Sequence, residues 1–277
     1  MLVDTQSILK EAIDCKYAVA AFNIYNLEGV IAVINAAEDT EIPVILQIHP
    51  MSFNTSGQPL ISACLEAAAQ SNVNIGVHFD HVDSEEIISK VIHSGIQSIM
   101  VDGSAKEYDD NIQFTRKCVN KIHYINGFVE AELGRLSGTE DELTVAEKDA
   151  SMTNPDQLMD FCSKTQIDSL AVCVGNVHGK YFHDPNIDFL RLEKIRNNIS
   201  IPLVMHGASG LPEDTIRRCI NIGISKFNVN TELRNAYMQS IIEISKIPKS
   251  DILNIMNSSI YEMTKIAIKK IKLFASI

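Results

Sequence analysis

NVNIGVHFDHVDSEEIISKVIHSGIQSIMVDG, residues 72–103, contains one whole structural unit. It opens on an apolar run, NVNIGVHFD (72–80), passes through an amphipathic stretch, SEEIISKVIHSG (84–95), and returns to a second run, SIMVDG (98–103). Runs that stay apolar at successive positions, without alternating, predict strands covered on both faces. The stretch between them has the helical period. Ser84 is placed to cap that helix, with Glu85 and Glu86 in its first turn, where the positive end of the helix dipole favours carboxylates.

The alternation continues in both directions. Further runs are YAVAAFN (17–23), PVILQ (43–47), GFVEAEL (127–133), DSLAVCVGN (168–176), IPLVMHG (201–207) and ISKFNVN (224–230). Helical patterns such as LEGVIAVINAAED, PDQLMDFCSKT and PEDTIRRCINIG separate them. In the last, Ile216, Ile220 and Ile222 face the sheet while Glu213, Asp214, Arg217 and Arg218 face water. Asn154-Pro155 and Leu211-Pro212 mark helix starts. Eight strands, seven intervening helical segments and a helical C-terminus match an α/β chain folded as a single (β/α)8 TIM barrel, a fold of about 250 residues. One domain, residues 1–277, is expected. A doubly wound open sheet is the alternative; the even spacing and the lack of G-x-G-x-x-G after the first run favour the barrel.

With 24 basic residues against 35 acidic ones, the net charge of −11 argues against a nucleic-acid surface. The start, MLVDTQSILKEAIDCK, lacks the basic and apolar regions of a signal peptide. No apolar run approaches the roughly 20 residues that span a bilayer. Cys15, Cys64, Cys118, Cys162, Cys173 and Cys219 include no C-x-x-C, which favours reduced thiols over a disulfide framework or structural zinc. A cytoplasmic protein with no membrane and no nucleic-acid partner is expected.

In such a barrel the chemistry sits at the C-terminal strand ends. Those ends carry Asn23, Gln47 with His49, Asp80 with His81, Asp102, Glu130 with Glu132, Asn176 with His178, His206, and Asn228 with Asn230. A single histidine after a strand is usually a loop residue, but barrel closure converges His81, His178 and His206 on one mouth. Three neutral imidazoles with an open position suit a catalytic zinc ion. Asp80, adjacent to one of them, can orient that site or move a proton. His78 reads as a core histidine, and His93, His123 and His183 as surface or packing residues.

Two segments suit an anion. Gly207, Ala208 and Ser209 in HGASG precede a helix near Pro212, and FNVNTE (227–232) ends the eighth run and opens the last helix, with Thr231 as its cap. The loops after strands seven and eight are the usual phosphate site of these barrels. After the fifth run, AELGRLSGTEDELTVAEKDAS reads as a long mobile lid hinged at Gly134 and Gly138. Glu140, Asp141 and Glu142 either solvate its tip or deliver a base to a metal-polarised carbonyl.

Taken in order, AFNIYNLE, HFDH, VEAELG with SGTED, DSLAVCVGNVHGKY, LVMHGASGL and KFNVNTE resemble the class II, metal-dependent ketose-bisphosphate aldolases, most closely the tagatose-bisphosphate aldolase-like branch. The resemblance runs from Ala21 to about Asn235. It implies a zinc-dependent lyase of carbohydrate metabolism that cleaves a phosphorylated ketose, such as tagatose- or fructose-1,6-bisphosphate, to dihydroxyacetone phosphate and an aldehyde. His81, His178 and His206 correspond to its zinc ligands, Glu132 to its alternative ligand, Asp80 to its catalytic aspartate and Glu140 to the lid base. The triose phosphate maps onto Gly179, onto Gly207, Ala208 and Ser209, and onto Asn228, Val229, Asn230 and Thr231. Asn23 and His49 line the same mouth. A monovalent cation, Na+ or K+, near the phosphate and a homo-oligomeric dimer or tetramer are also implied.

The departures fall on the aldehyde half. Asn230 stands where the fructose enzymes carry Asp and the tagatose branch Ala, His49 where Ser is common, Asn176-Val177 for Thr-Ala, and Ser137-Gly138 for paired glycines. An aldolase for a different phosphorylated sugar or sugar acid is therefore the alternative. A Schiff-base aldolase would need Lys226, the only lysine within a run. A metal-dependent barrel hydrolase would want H-x-H after the first run, and a non-catalytic metabolite-binding barrel would not need the full set. The terminal MTKIAIKKIKLFASI is a basic amphipathic helix, expected to pack on the barrel or at a subunit contact.

Overall fold

In the computed structural model, residues 1–140, 143–146, 150–179, 181 and 185–276 are described, with backbone alone at 139–140 and 143–145. Eight parallel strands close in the order β1-β10-β9-β8-β5-β4-β3-β2. They are β1 (Val19–Asn23), β2 (Val44–Ile48), β3 (Ile75–Val82), β4 (Ser98–Val101), β5 (Phe128–Leu133), β8 (Ser169–Val172), β9 (Leu203–Met205) and β10 (Ile224–Val229). The crossovers are α2 (Leu27–Thr40), α3 (Pro50–Gln70), α4 (Glu85–His93), α5 (Tyr108–His123), α6 (Leu158–Thr165), α7 (Phe189–Asn198) and α8 (Glu213–Ile222). This is the (β/α)8 barrel that the alternation predicts.

Alternate residues of each strand face inward, in layers. Ile8, Leu9 and Ala12 of α1 (Thr5–Cys15), a helix that the sequence pattern did not reveal, pack with Val19, Ala21, Ile45 and Phe128. That cluster closes the N-terminal end. Met100, Ala171 and Val204 form an apolar patch in the next layer. The same inward parity then brings Asn23, Gln47, Asp80, Asp102, Glu132, Cys173, His206 and Asn228 to the other end. Outward residues such as Phe22, Leu46, Phe79 and Val229 join the core beneath the helices. The chain ends in α9 (Thr231–Ile244) and α10 (Ile252–Ala275), the latter packed chiefly on α2 and α9.

Several expectations are corrected. The segment after β5 is not loop throughout: β6 (Gly138–Glu140) pairs antiparallel with β7 (Leu143–Val145), opposing Thr139 and Thr144. β-Branched residues at 139, 144 and 145 suit such a ladder. The sixth barrel strand stops at Val172, because the Val174 N–H is taken by Asn176 Oδ1 at 2.8 Å and leaves the sheet. The N-cap of α9 is Asn230 rather than Thr231, and neither Asn230 nor Ser84 makes a side-chain cap hydrogen bond.

Candidate metal centre and active site

Asp80 and His81 are neighbours, so a regular strand would turn them to opposite faces. β3 avoids this with a register shift between Phe79 and Val82, and with a positive φ of 47° at His81. A non-glycine residue in that conformation is strained and marks sites where the surroundings hold it in place. Here Asp80 is fully buried and His81 reaches toward the two other histidines. The His81 ring lies 4.8 Å from that of His206 and 5.3 Å from that of His178, centroid to centroid. One ligand atom from each of the three lies within 4.8 Å of the others.

A half-buried and a fully buried carboxylate orient two of these rings. His81 Nδ1 donates to Asp102 Oδ2 at 2.8 Å, and Asp102 Oδ1 accepts from the Ser104 N–H at 2.9 Å. His206 Nε2 lies 3.0 Å from Glu130 Oε1, and Glu130 Oε2 takes Lys226 Nζ at 2.7 Å. A carboxylate on the far nitrogen fixes the tautomer and leaves the other nitrogen for a metal. Burial acts to raise the Asp102 carboxyl, but the His81 contact and the Ser104 donors outweigh it and hold it well below the usual range. Glu130 behaves likewise: the Lys226 charge and the His206 bond overcome burial. Lys226 is thus committed to a buried ion pair, which does not favour the Schiff-base alternative.

The donors themselves fit a metal. His206 Nδ1 and Glu132 Oε2 are buried and have no hydrogen-bond partner among the described residues. They lie 3.7 Å apart. Burial, with the Asp102 charge nearby, raises the Glu132 carboxyl, against the opposing pull of the three histidines. Three imidazoles, a carboxylate and unsatisfied inward-facing lone pairs suit zinc.

Asp80 is clamped by amides. Gln47 Nε2 donates to Oδ2 at 3.0 Å, Asn23 Nδ2 to Oδ2 at 3.2 Å and Asn228 Nδ2 to Oδ1 at 3.4 Å. Asn23 and Asn228, expected on substrate, thus hold the catalytic candidate, and Gln47 is a third member that the sequence did not distinguish. Asn228 Oδ1 and Ser209 Oγ are buried without a hydrogen-bond partner among the described residues.

Gly207 has a φ of 67°, and a Cβ there would lie 1.9 Å from the Val177 carbonyl oxygen. Only glycine lets the loop after β9 approach the His178 loop so closely. Tyr181 ties the same two loops: its hydroxyl donates to Gly207 O at 3.0 Å and accepts from the Val177 N–H at 3.2 Å. Ala208 is buried beside Ser209, Gly179 follows His178, and Thr231 opens α9. The Val229 side chain packs in the outer core, which leaves its backbone to face a ligand.

His49 is the N-cap of α3 and accepts from the Met51 N–H through Nδ1 at 3.2 Å. Its ring is 6.0 Å from that of His81. Tyr25, which no sequence signal singled out, donates its hydroxyl to Asn230 Oδ1 at 2.7 Å. The hairpin reaches this centre through Gly138, which bridges His178, while the His178 N–H donates to Ser137 O at 2.8 Å. The side chain of Glu140, with Asp141, Glu142 and His183, lies outside the described residues. His78 is fully buried in the barrel, with Nδ1 2.7 Å from Ser98 Oγ. A cavity of about 850 Å³ at the opposite end, lined by Lys16, Tyr17, Arg196 and Asn221 among others, includes none of these residues.

Residues 3–277 match the class-II fructose-bisphosphate aldolase family. Among solved structures, the YdjI aldolase from Escherichia coli K12 is 34% identical, with a TM-score of 0.89 over 99% of this chain and 97% of that one. A provisionally assigned fructose-1,6-biphosphate aldolase from Coccidioides immitis is 30% identical, with a TM-score of 0.92 over 98% and 96%. Fructose-bisphosphate aldolase from Campylobacter jejuni, 18% identical, shares the fold with a TM-score of 0.81 over 100% and 96%. Among the described residues, no helix is long and apolar enough to cross a membrane.

Proposed function

This chain belongs to the class II fructose-bisphosphate aldolase family and is a lyase of that class; from that premise we propose a zinc-dependent cleavage of a phosphorylated ketose to dihydroxyacetone phosphate and an aldehyde. The observation that carries the proposal is the convergence of His81, His178 and His206 beside an amide-clamped Asp80. Zinc, held by the three histidines with Glu132 in reserve, would supply Lewis-acid polarisation of the substrate ketone.

The protein supplies the rest. Asp102 and Glu130 hold His81 and His206 in their ligating tautomers. Glu140 is the base assigned to the hydroxymethyl carbon of dihydroxyacetone phosphate, carried on a hairpin whose first strand is bridged to His178. Asn23, Gln47 and Asn228 keep Asp80 aimed, so that it can give a proton to the alkoxide formed on condensation, or take one on cleavage. Gly179, Gly207, Ala208, Ser209 and the backbone from Asn228 to Thr231 supply donors for the phosphate, with a sodium or potassium ion alongside. Asn230 and His49 face the aldehyde half and set which sugar is accepted. A cytoplasmic assembly of two or four copies belongs to the same proposal.

The test is a panel of ketose 1-phosphates and 1,6-bisphosphates, including sugar-acid phosphates, with the purified zinc protein. Release of dihydroxyacetone phosphate from at least one supports the proposal. Zinc binding with no turnover across the panel would contradict it and favour a metabolite-binding barrel.

A further inference from the structure

We propose that Lys270, on the C-terminal helix, is a positioning residue for the phosphate loop: it holds and neutralises Glu232, the carboxylate that braces the loop from His206 to Gly210. This rests on the phosphorylated-substrate reading above and adds to it a residue from outside the barrel.

The terminal basic helix turns one of its last four lysines inward. Met263, Ala267, Ile271 and Phe274 form the buried stripe of α10, at helical spacing. Lys270 lies in that stripe and is 6% exposed, whereas Lys265, Lys269 and Lys272 are exposed. A lysine is almost never so buried unless it is paired. Its Nζ lies 2.5 Å from Glu232 Oε2, a charge contact off the axis of an aligned hydrogen bond. The other oxygen, Oε1, accepts from the Gly210 N–H at 3.3 Å. One carboxylate therefore links the last helix to the loop after β9. The helix itself is anchored one turn further on. The Phe274 ring lies 4.8 Å from that of Phe227 in β10, and Phe274 O accepts from the Ala18 N–H at 3.0 Å.

The position of Glu232 explains why it needs a cation. It stands in the first turn of α9, directly after Thr231, and touches the residue that follows Ser209. An uncompensated carboxylate there would repel a phosphate and compete with it for the helix N-terminus. Lys270 cancels the charge and leaves an oxygen to hold Gly210. The loop thus uses the oxygen of Glu232, whereas phosphate binding requires that its charge be cancelled. Glutamine would keep the first and remove the need for the second. The Glu232 side chain is 32% exposed, so solvent screening limits the effect to about three- to tenfold in KM.

The experiment is exchange of the dihydroxyacetone phosphate hydroxymethyl proton by the full-length zinc protein, with KM and saturating rate measured separately. Lys270→Met keeps the aliphatic stem and should raise KM about three- to tenfold with the saturating rate unchanged. Glu232→Gln should lower KM, because Lys270 is then an unopposed positive charge. Lys270→Met with Glu232→Gln should return KM to the wild-type value, and Lys270→Arg should retain it. Opposite signs for the two single variants are the signature of charge; a merely structural brace would raise KM in both. Single variants that shift KM in the same direction, or leave it unmoved, overturn the role of Lys270 and leave the aldol reading standing. Where Lys270→Met does not fold, Glu232→Gln alone decides: a lower KM supports the proposal, and an equal or higher one overturns it. A wild-type protein that exchanges no proton contradicts the aldol reading, and this inference with it.

Discussion

At the scale of single residues, the centre depends on which nitrogen each imidazole offers. Asp102 fixes His81 and Glu130 fixes His206, so these carboxylates should matter almost as much as the ligands. Asp102→Asn keeps the size but weakens the acceptor, and is expected to lower zinc affinity about 10- to 100-fold, measured by chelator competition. His81→Ala, His178→Ala and His206→Ala should each lose bound metal and activity together, by metal analysis and turnover. Asp80 and the three histidines stood out in the sequence because strand ends in this fold converge. Their partners did not. Asp102, Glu130, Gln47 and Asn228 were visible as polar strand ends, but only three-dimensional packing shows which side chain each one holds. Tyr25 lacked even that signal.

At the scale of elements, two glycines set how closely loops approach the candidate metal centre. A Cβ at Gly138 would lie 2.1 Å from the His178 carbonyl oxygen, and one at Gly207 1.9 Å from that of Val177. Each also holds a positive φ, so alanine adds about 1–2 kcal/mol of backbone strain before any collision. Gly207→Ala is expected to lower the unfolding midpoint and raise KM for a phosphorylated substrate more than tenfold. A variant with unchanged KM would remove that loop from the phosphate site. The hairpin makes a separate prediction. Glu140→Ala should keep its zinc and lose proton exchange at dihydroxyacetone phosphate, and unaltered exchange would remove Glu140 from the base role. The order of the barrel strands and their crossover helices could be read from periodicity alone. The hairpin could not, because three-residue strands fall below the length at which alternation is distinguishable from loop.

At the scale of the whole molecule, the barrel interior is stratified: an apolar plug under α1, a middle layer with buried charge, and the polar mouth. The middle layer carries a pH signature. Burial, then the Lys226 charge, holds His78 down to about 3 in the folded protein. The unfolded chain has an ordinary histidine near 6.5. Below about pH 6.5 the unfolded state therefore binds the extra proton, and this contribution to stability falls as pH drops toward about 3, by up to about 1.4 kcal/mol per pH unit. Urea unfolding of the metal-free protein between pH 6.5 and 4 should show a shallower slope for His78→Gln than for the wild type; equal slopes would contradict that origin. The barrel itself was legible because its period is written in apolar runs. The aldehyde partner was not, because the proposed selectors His49 and Asn230 would act through geometry that one sequence does not encode visibly. The most direct test avoids that unknown: exchange of the dihydroxyacetone phosphate hydroxymethyl proton with deuterated solvent, followed by NMR. Exchange that stops with EDTA, returns with zinc and is absent in His206→Ala is the expected result. Exchange that survives EDTA, or enzyme trapped by borohydride through Lys226, would contradict metal-dependent aldol chemistry at this site.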